Sequence, residues 1–195
     1  GYDSGNRRLA GRRGEVPRAL LVPPFEGYEP GTKGCPYDEA LARKCMDEAF
    51  PDRSKFPAIE FLTRNSKKGL EMFALCREQW REALGVDVVV KSQPWTVYLT
   101  SMSNLDYDVS CGGWIADYHD PHTFIDLWIT GGGNNRTGWS DKEFDGWVAS
   151  AGRELDLKKR FSIYQKCEKR LLDEACVIAP LYTTLEYFLV KPRLK

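Results

Sequence analysis

No run of apolar residues in this sequence approaches the roughly 18 needed to cross a bilayer as a helix. Charge of one sign is not in excess either. Lys and Arg number 28 and so do Asp and Glu, so no overall field draws the chain to nucleic acid or an anionic membrane. Histidine is scarce, present only as His119 and His122. No two of the six cysteines, at 35, 45, 76, 111, 167 and 176, are spaced C-x-x-C, which argues against the usual zinc site. Their even number leaves disulfides open without pairing them. There is no G-x-S-x-G elbow and no Walker loop. The five arginines among the first eighteen residues are not followed by an apolar stretch, so they do not read as a secretory signal.

What is present suits a packed α/β chain. Hydrophobic residues make up 42% and aromatics 12% of 195 residues, enough for a core. Residues 1–36 are rich in Gly, Arg and Pro and read as an extended lead-in, with a short strand at Ala19–Val22 and a solvated basic arm before it. Asp38 is placed to cap a helix to Ala49, with Leu41, Cys45 and Ala49 on one face. Ala58–Thr63 reads as a strand. Lys68–Leu84 carries Leu70, Phe73, Cys76, Trp80 and Leu84 at helical spacing, and Gly85 is placed to stop it. Val86–Lys91 is a valine-rich strand, Trp95–Met102 a short helix, and Tyr107–Gly113 a third strand. Asp120-Pro121 caps a helix to Ile129, and Gly131–Asn135 reads as a flexible loop. Ser140-Asp-Lys-Glu143 has the form of a capping box. Asp156 starts a long helix to Ala175, and Leu181–Val190 reads as a last strand. Helices alternating with strands predict a mixed, mostly parallel sheet flanked by helices. In such sheets ligands sit at the carboxyl ends of strands.

One such end is Tyr107-Asp-Val-Ser-Cys-Gly-Gly-Trp-Ile-Ala-Asp-Tyr-His-Asp-Pro121. Gly112 and Gly113 let another backbone approach, as in peptide addition to a strand. Asp117 is not needed as a cap, since Asp120 serves, and can meet a ligand ammonium. The bland reading, a bulge with a core tryptophan and a helix-flanking acid, weighs equally on these residues alone. A rival from another class is a metal-dependent hydrolase using Asp117, His119 and His122. Gly131–Gly133 lacks the Lys-Ser/Thr of a phosphate loop and reads as a connector.

Motifs along the chain add a resemblance. Pro23-Pro24, Gly27-Tyr28, Tyr37-Asp38, Leu84-Gly85-Val86, Gln93-Pro94-Trp95 and Asp106-Tyr107-Asp108 come first. Gly113-Trp114-Ile115-Ala116-Asp117-Tyr118-His119-Asp120-Pro121, Asn134-Asn135, Thr137-Gly138-Trp139-Ser140 and Ala179-Pro180-Leu181-Tyr182 follow. From about Gly14 onward this resembles the C-terminal part of the extracytoplasmic oligopeptide- and dipeptide-binding proteins of ABC importers, solute-binding protein family 5. The resemblance implies one lobe of a two-lobed, periplasmic-binding-protein type II-like fold, with residues 37–180 as the second lobe. Residues 181–195 are then the strand returning to a first lobe that has no counterpart here, as in a fragment. It further implies a non-enzyme without cofactor or metal, and a peptide or other small solute as ligand. A membrane permease is the partner, with no nucleic acid and no oligomer. The location is periplasmic or otherwise extracytoplasmic, with a lipoprotein anchor as one form. On this resemblance Asp117 pairs with the peptide ammonium, Gly113, Trp114 and Ile115 supply main-chain hydrogen bonds, and Trp95 walls side-chain pockets. A sensory protein reusing the same lobe is a further alternative.

Overall fold

The computed structural model describes residues 20–32, 34 and 37–183. Helix α1 is Glu39–Ala49, and a 3-10 turn follows at Arg53–Lys55. Strand β1 is Glu60–Arg64 and α2 is Lys67–Leu84. Then come β2 (Val89–Gln93), α3 (Trp95–Asn104) and β3 (Val109–Ser110). Helix α4 (His122–Ile125) runs into a 3-10 turn at Asp126–Trp128. Helix α5 is Lys142–Ala151, and α6 is Leu157–Lys169 with a π-helical turn at Arg170–Glu174.

The chain divides into two compact units. One holds residues 37–118 and 126–145 and contains the sheet. Of the described residues, the other holds 20–32, 34, 119–125 and 146–183.

In the sheet unit the strand order is β2-β1-β3, and both pairings are parallel. Each crossover is a helix, as parallel strands require. Ser66 caps α2 through Gly69 N–H, and Gly85 ends it at φ +69°, a conformation open to glycine without a Cβ clash. Helix α2 lays Phe73, Cys76 and Trp80 on the sheet, where Phe61, Phe73 and Val88 form the core. Phe61 meets Phe73 and Trp80 at ring separations of 5.0 and 5.1 Å. A second cluster, Leu62, Tyr98 and Met102, packs α3 on the sheet.

Helix α1 departs from its apolar stripe. Asp38 caps it as expected, yet Leu41 and Cys45 are exposed and the helix buries no residue. Arginines fix it instead. Arg43 reaches the Glu82 carbonyl at 3.1 Å, and Arg53 bonds the carbonyls of Met46 and Leu84 at 3.0 and 3.1 Å. These bonds satisfy carbonyls at two helix ends, which otherwise lack partners.

Several boundaries move. The second strand starts three residues late, and the third shrinks to Val109–Ser110 because residues 111–116 pair with no described strand. The helix after Asp120 tightens into a 3-10 turn after Ile125. The cap of α5 is Asp141, not Ser140: its carboxylate accepts from the N–H groups of Glu143 and Phe144. A carboxylate at a helix N-terminus also meets the positive end of the dipole. The 131–135 loop is pinned, since the Asn135 amide donates to the carbonyls of Trp128, Ile129 and Trp139. Leu20 is irregular and Leu21 and Val22 form a bend rather than a strand; Ala19 lies outside the described residues. Residues 181–183 have no regular structure, and the remainder of the expected last strand lies outside the described residues.

The other unit is ordered around α6, which buries Tyr164, Cys167 and Leu171 completely. Glu168, only 1% exposed, accepts from Tyr28 Oη at 2.6 Å and from Gly31 N–H at 2.8 Å. Burial pushes this carboxyl upward, against the pull of those donors and of Val22 N–H. Gly31 is required by closeness: a Cβ there would lie 2.2 Å from the Gln165 carbonyl oxygen.

Candidate functional site

The carboxyl ends of the three strands lie on one edge of the sheet, because all three are parallel. Each end delivers a different kind of group. Strand β1 ends in Arg64. Strand β2 ends at Gln93, and Pro94 turns the chain so that Trp95 opens α3. Strand β3 runs into Cys111 and the extended segment Gly112–Ala116, and the chain bends at 117–120.

These pieces are tied together. Trp95 stacks on Tyr98 one turn on, with centroids 5.8 Å apart and planes at 24°. The Arg64 guanidinium stands 5.9 Å from the Trp95 ring, within cation–π range. Tyr98 Oη donates to the Cys111 carbonyl at 2.5 Å, fixing α3 to the residue before Gly112. Ser110 Oγ donates to the Leu62 carbonyl at 3.2 Å, which anchors the start of the segment to β1. The segment thus leaves a rigid root.

Beyond that root it is exposed. Trp114 is 37%, Trp95 55% and Ile115 81% exposed. Gly112, Gly113 and Asp117 are exposed too. A Cβ at Gly112 or Gly113 would meet nothing within 4 Å, so the fold itself does not require these glycines. Of the residues the sequence singles out, Trp95, Gly113, Trp114, Ile115 and Asp117 all belong to the sheet unit and to this edge. Trp114 is not a core residue, which removes one of the three parts of the bland reading. Reasoning from sequence missed Tyr98 and Arg64. Tyr98 had a signal, its i+3 spacing from Trp95; Arg64 had only its place at the end of a strand.

The two histidines take separate partners. His119 packs edge-on against Phe25 at 5.0 Å. His122 Nδ1 lies 3.2 Å from Tyr164 Oη, which also receives Arg160 Nε at 2.9 Å. Asp120 accepts from the His122 N–H at 2.8 Å and pairs with Arg160 at 2.7 Å. Among the described residues no three His, Cys, Asp or Glu side chains are grouped to hold a metal ion. No helix among them is long and apolar enough to cross a membrane.

A small parallel sheet flanked by helices is the α/β architecture of the type II solute-binding class. Comparison with known proteins agrees. The model of the family described as "Bacterial extracellular solute-binding proteins, family 5 Middle" matches residues 3–136, more than half of the chain, and the chain belongs to that family. It is 30% identical over 177 residues to the oligopeptide-binding protein OppA of Bacillus subtilis, covering 86% of this chain and 32% of that protein. It is 34% identical over 156 residues to the periplasmic murein peptide-binding protein MppA of Escherichia coli, covering 80% and 29%. The substrate-binding domain of an oligopeptide ABC transporter from Bacillus anthracis superposes with a TM-score of 0.71 at 34% identity. That match covers 77% of this chain and 30% of the other. The chain spans about a third of the length of the relatives it matches.

Proposed function

We propose that this chain is the second, ligand-holding lobe of a peptide-binding protein serving an ABC importer. In the complete protein a first lobe closes on the bound peptide, and the loaded protein meets a membrane permease. The observation that carries this reading is the Gly112–Asp117 segment. Its exposed backbone, bare at two glycines, offers N–H and C=O groups to an extended peptide whatever its side chains. Asp117 receives the peptide ammonium, Trp114 and Trp95 supply apolar walls, and Arg64 offers a positive charge on the same edge. Main-chain pairing gives breadth of sequence, and the charged end-group fixes direction. The named ligands of the relatives, oligopeptides and a murein peptide, support a peptide over other solutes. No step of chemistry is needed, and the arrangement of His119 and His122 offers no support to a hydrolase.

Asp117→Asn in the two-lobed protein tests the reading by calorimetry. A hydrogen bond to a charged group contributes about 1.5–3 kcal/mol, so affinity for a peptide with a free amine falls roughly 10- to 100-fold. The same peptide N-acetylated loses little. Equal losses for both peptides sink the ammonium role.

A further inference from the structure

Charge is balanced over the whole chain but not along α6. Lys158, Lys159, Lys166 and Lys169 are all exposed. At about 100° per residue they fall, with Ser162, within one arc of about 100° on the helix. The opposite side carries Tyr164, Cys167 and Leu171, which are buried. Among the described residues none of these lysines forms an ion pair. Arg153, just before the helix, is exposed as well. The acids of residues 153–169 do not balance these cations. Glu168 is buried, and Glu154 accepts from the Asp156 N–H at 2.9 Å. The Asp156 carboxylate caps the helix through the N–H groups of Lys158 and Lys159 at 2.9 and 3.2 Å. Two features of this helix start run against local preference. Lysines occupy a first turn that has no acid, where the positive end of the helix dipole favours acids. Leu155 and Leu157, on either side of Asp156, are 95% and 58% exposed. Local rules of this kind are broken most often at functional or strained sites.

We infer that the lysine face of α6, together with Leu155 and Leu157 at its start, docks on an anionic phospholipid surface. The potential of such a surface attracts the four ammonium groups. The lysine stems lie along the headgroups and keep their charged ends wet, while the two leucines enter the boundary between headgroups and acyl chains. Lys166 is held ready for this by Trp147, whose ring centroid is 3.6 Å from the ammonium. An acidic soluble protein would satisfy the lysines but offer less to two protruding leucines. This surface is independent of the peptide reading: none of its residues belongs to the Gly112–Asp117 edge.

The test is co-sedimentation of this chain with vesicles of phosphatidylcholine, with and without phosphatidylglycerol. The chain should bind only the vesicles that contain phosphatidylglycerol, and added salt should weaken that binding. A lysine near an anionic surface contributes about fivefold, so Lys158→Gln combined with Lys159→Gln should lower the partition coefficient about 25-fold. Leu155→Ser should lower it about tenfold. All three positions are exposed, so the melting temperature should stay where it is. Lys55→Gln combined with Lys67→Gln, at exposed lysines elsewhere, should leave binding unchanged. No binding to phosphatidylglycerol vesicles, or an equal loss from this control pair, overturns the inference. So does a Leu155→Ser variant that binds like the parent, or polyglutamate that binds the chain as tightly as the vesicles do; either result makes the partner an acidic protein rather than a lipid surface.

Discussion

In the unit built on α6, polar groups are turned inward and matched; in the sheet unit, large apolar groups are turned outward along one edge. Glu168 is buried among donors, and Tyr164 holds Arg160 and His122 around its hydroxyl. Trp95, Trp114 and Ile115, which belong by type in a core, face solvent. Burying a carboxylate costs several kcal/mol unless it is well hydrogen-bonded, and exposing an indole forgoes about 1.5–3 kcal/mol of burial. The first arrangement serves to fix a chain segment in place. The second leaves apolar surface at the carboxyl ends of the strands, the edge to which the proposed function assigns the ligand.

Variants in each unit can break that contrast, taken from large effects to small. Phe61→Ala should be worst. It empties the point where Phe73 and Trp80 meet the sheet and should cost about 3–5 kcal/mol in urea unfolding. Glu168→Gln keeps one oxygen for Tyr28 and Gly31, which share an acceptor, but turns an amide donor toward the Val22 N–H that already donates, so about 1–3 kcal/mol should go. A neutral result would mean that the Val22 N–H finds another acceptor.

Asp87 gives a weaker, pH-dependent effect. Its hydrogen bond to Arg77 holds its carboxyl down at about 2, below the unfolded value near 4. A depressed folded-state value means stability that is present above the unfolded value and lost as pH falls through the folded one. The melting temperature of the parent should therefore drop more steeply between about pH 4 and pH 2 than that of Asp87→Asn; parallel profiles would remove Asp87 from the account. Smallest of all, Ile115→Ala should change stability by no more than about 0.5 kcal/mol. A larger loss would mean that the outward edge is part of the core after all, and the contrast between the units would fail.

Much of this was legible in the sequence, for physical reasons. Asp38 and Asp156 cap their helices, and Gly85 stops α2, because caps depend on one residue and its nearest neighbours. The Phe73, Cys76 and Trp80 stripe was readable because α2 packs on one surface only. Helix α1 was misread because its stripe promised burial, while Arg43 on it and Arg53 just after it hold it to carbonyls at the distant end of α2. Asp141 displaced Ser140 as a cap because the two are adjacent and both suited, so spacing could not separate them. At the site, the glycines and Asp117 stood out in one stretch. Arg64 and Tyr98 join them only through the parallel register and the crossover helix, which no local pattern records.

The order β2-β1-β3 also bears on how the protein is made. The central strand leaves a ribosome first, and the two later strands add on opposite sides of it. Each waits for a crossover helix, and such non-local pairing is slow. Of the described strands, the one that roots Gly112–Asp117 is the last to join. A chain stalled before Val109 shows an unpaired apolar edge, the kind of surface that aggregates or is taken up by chaperones. The root of the Gly112–Asp117 segment is therefore set only after both crossover helices of the sheet have formed.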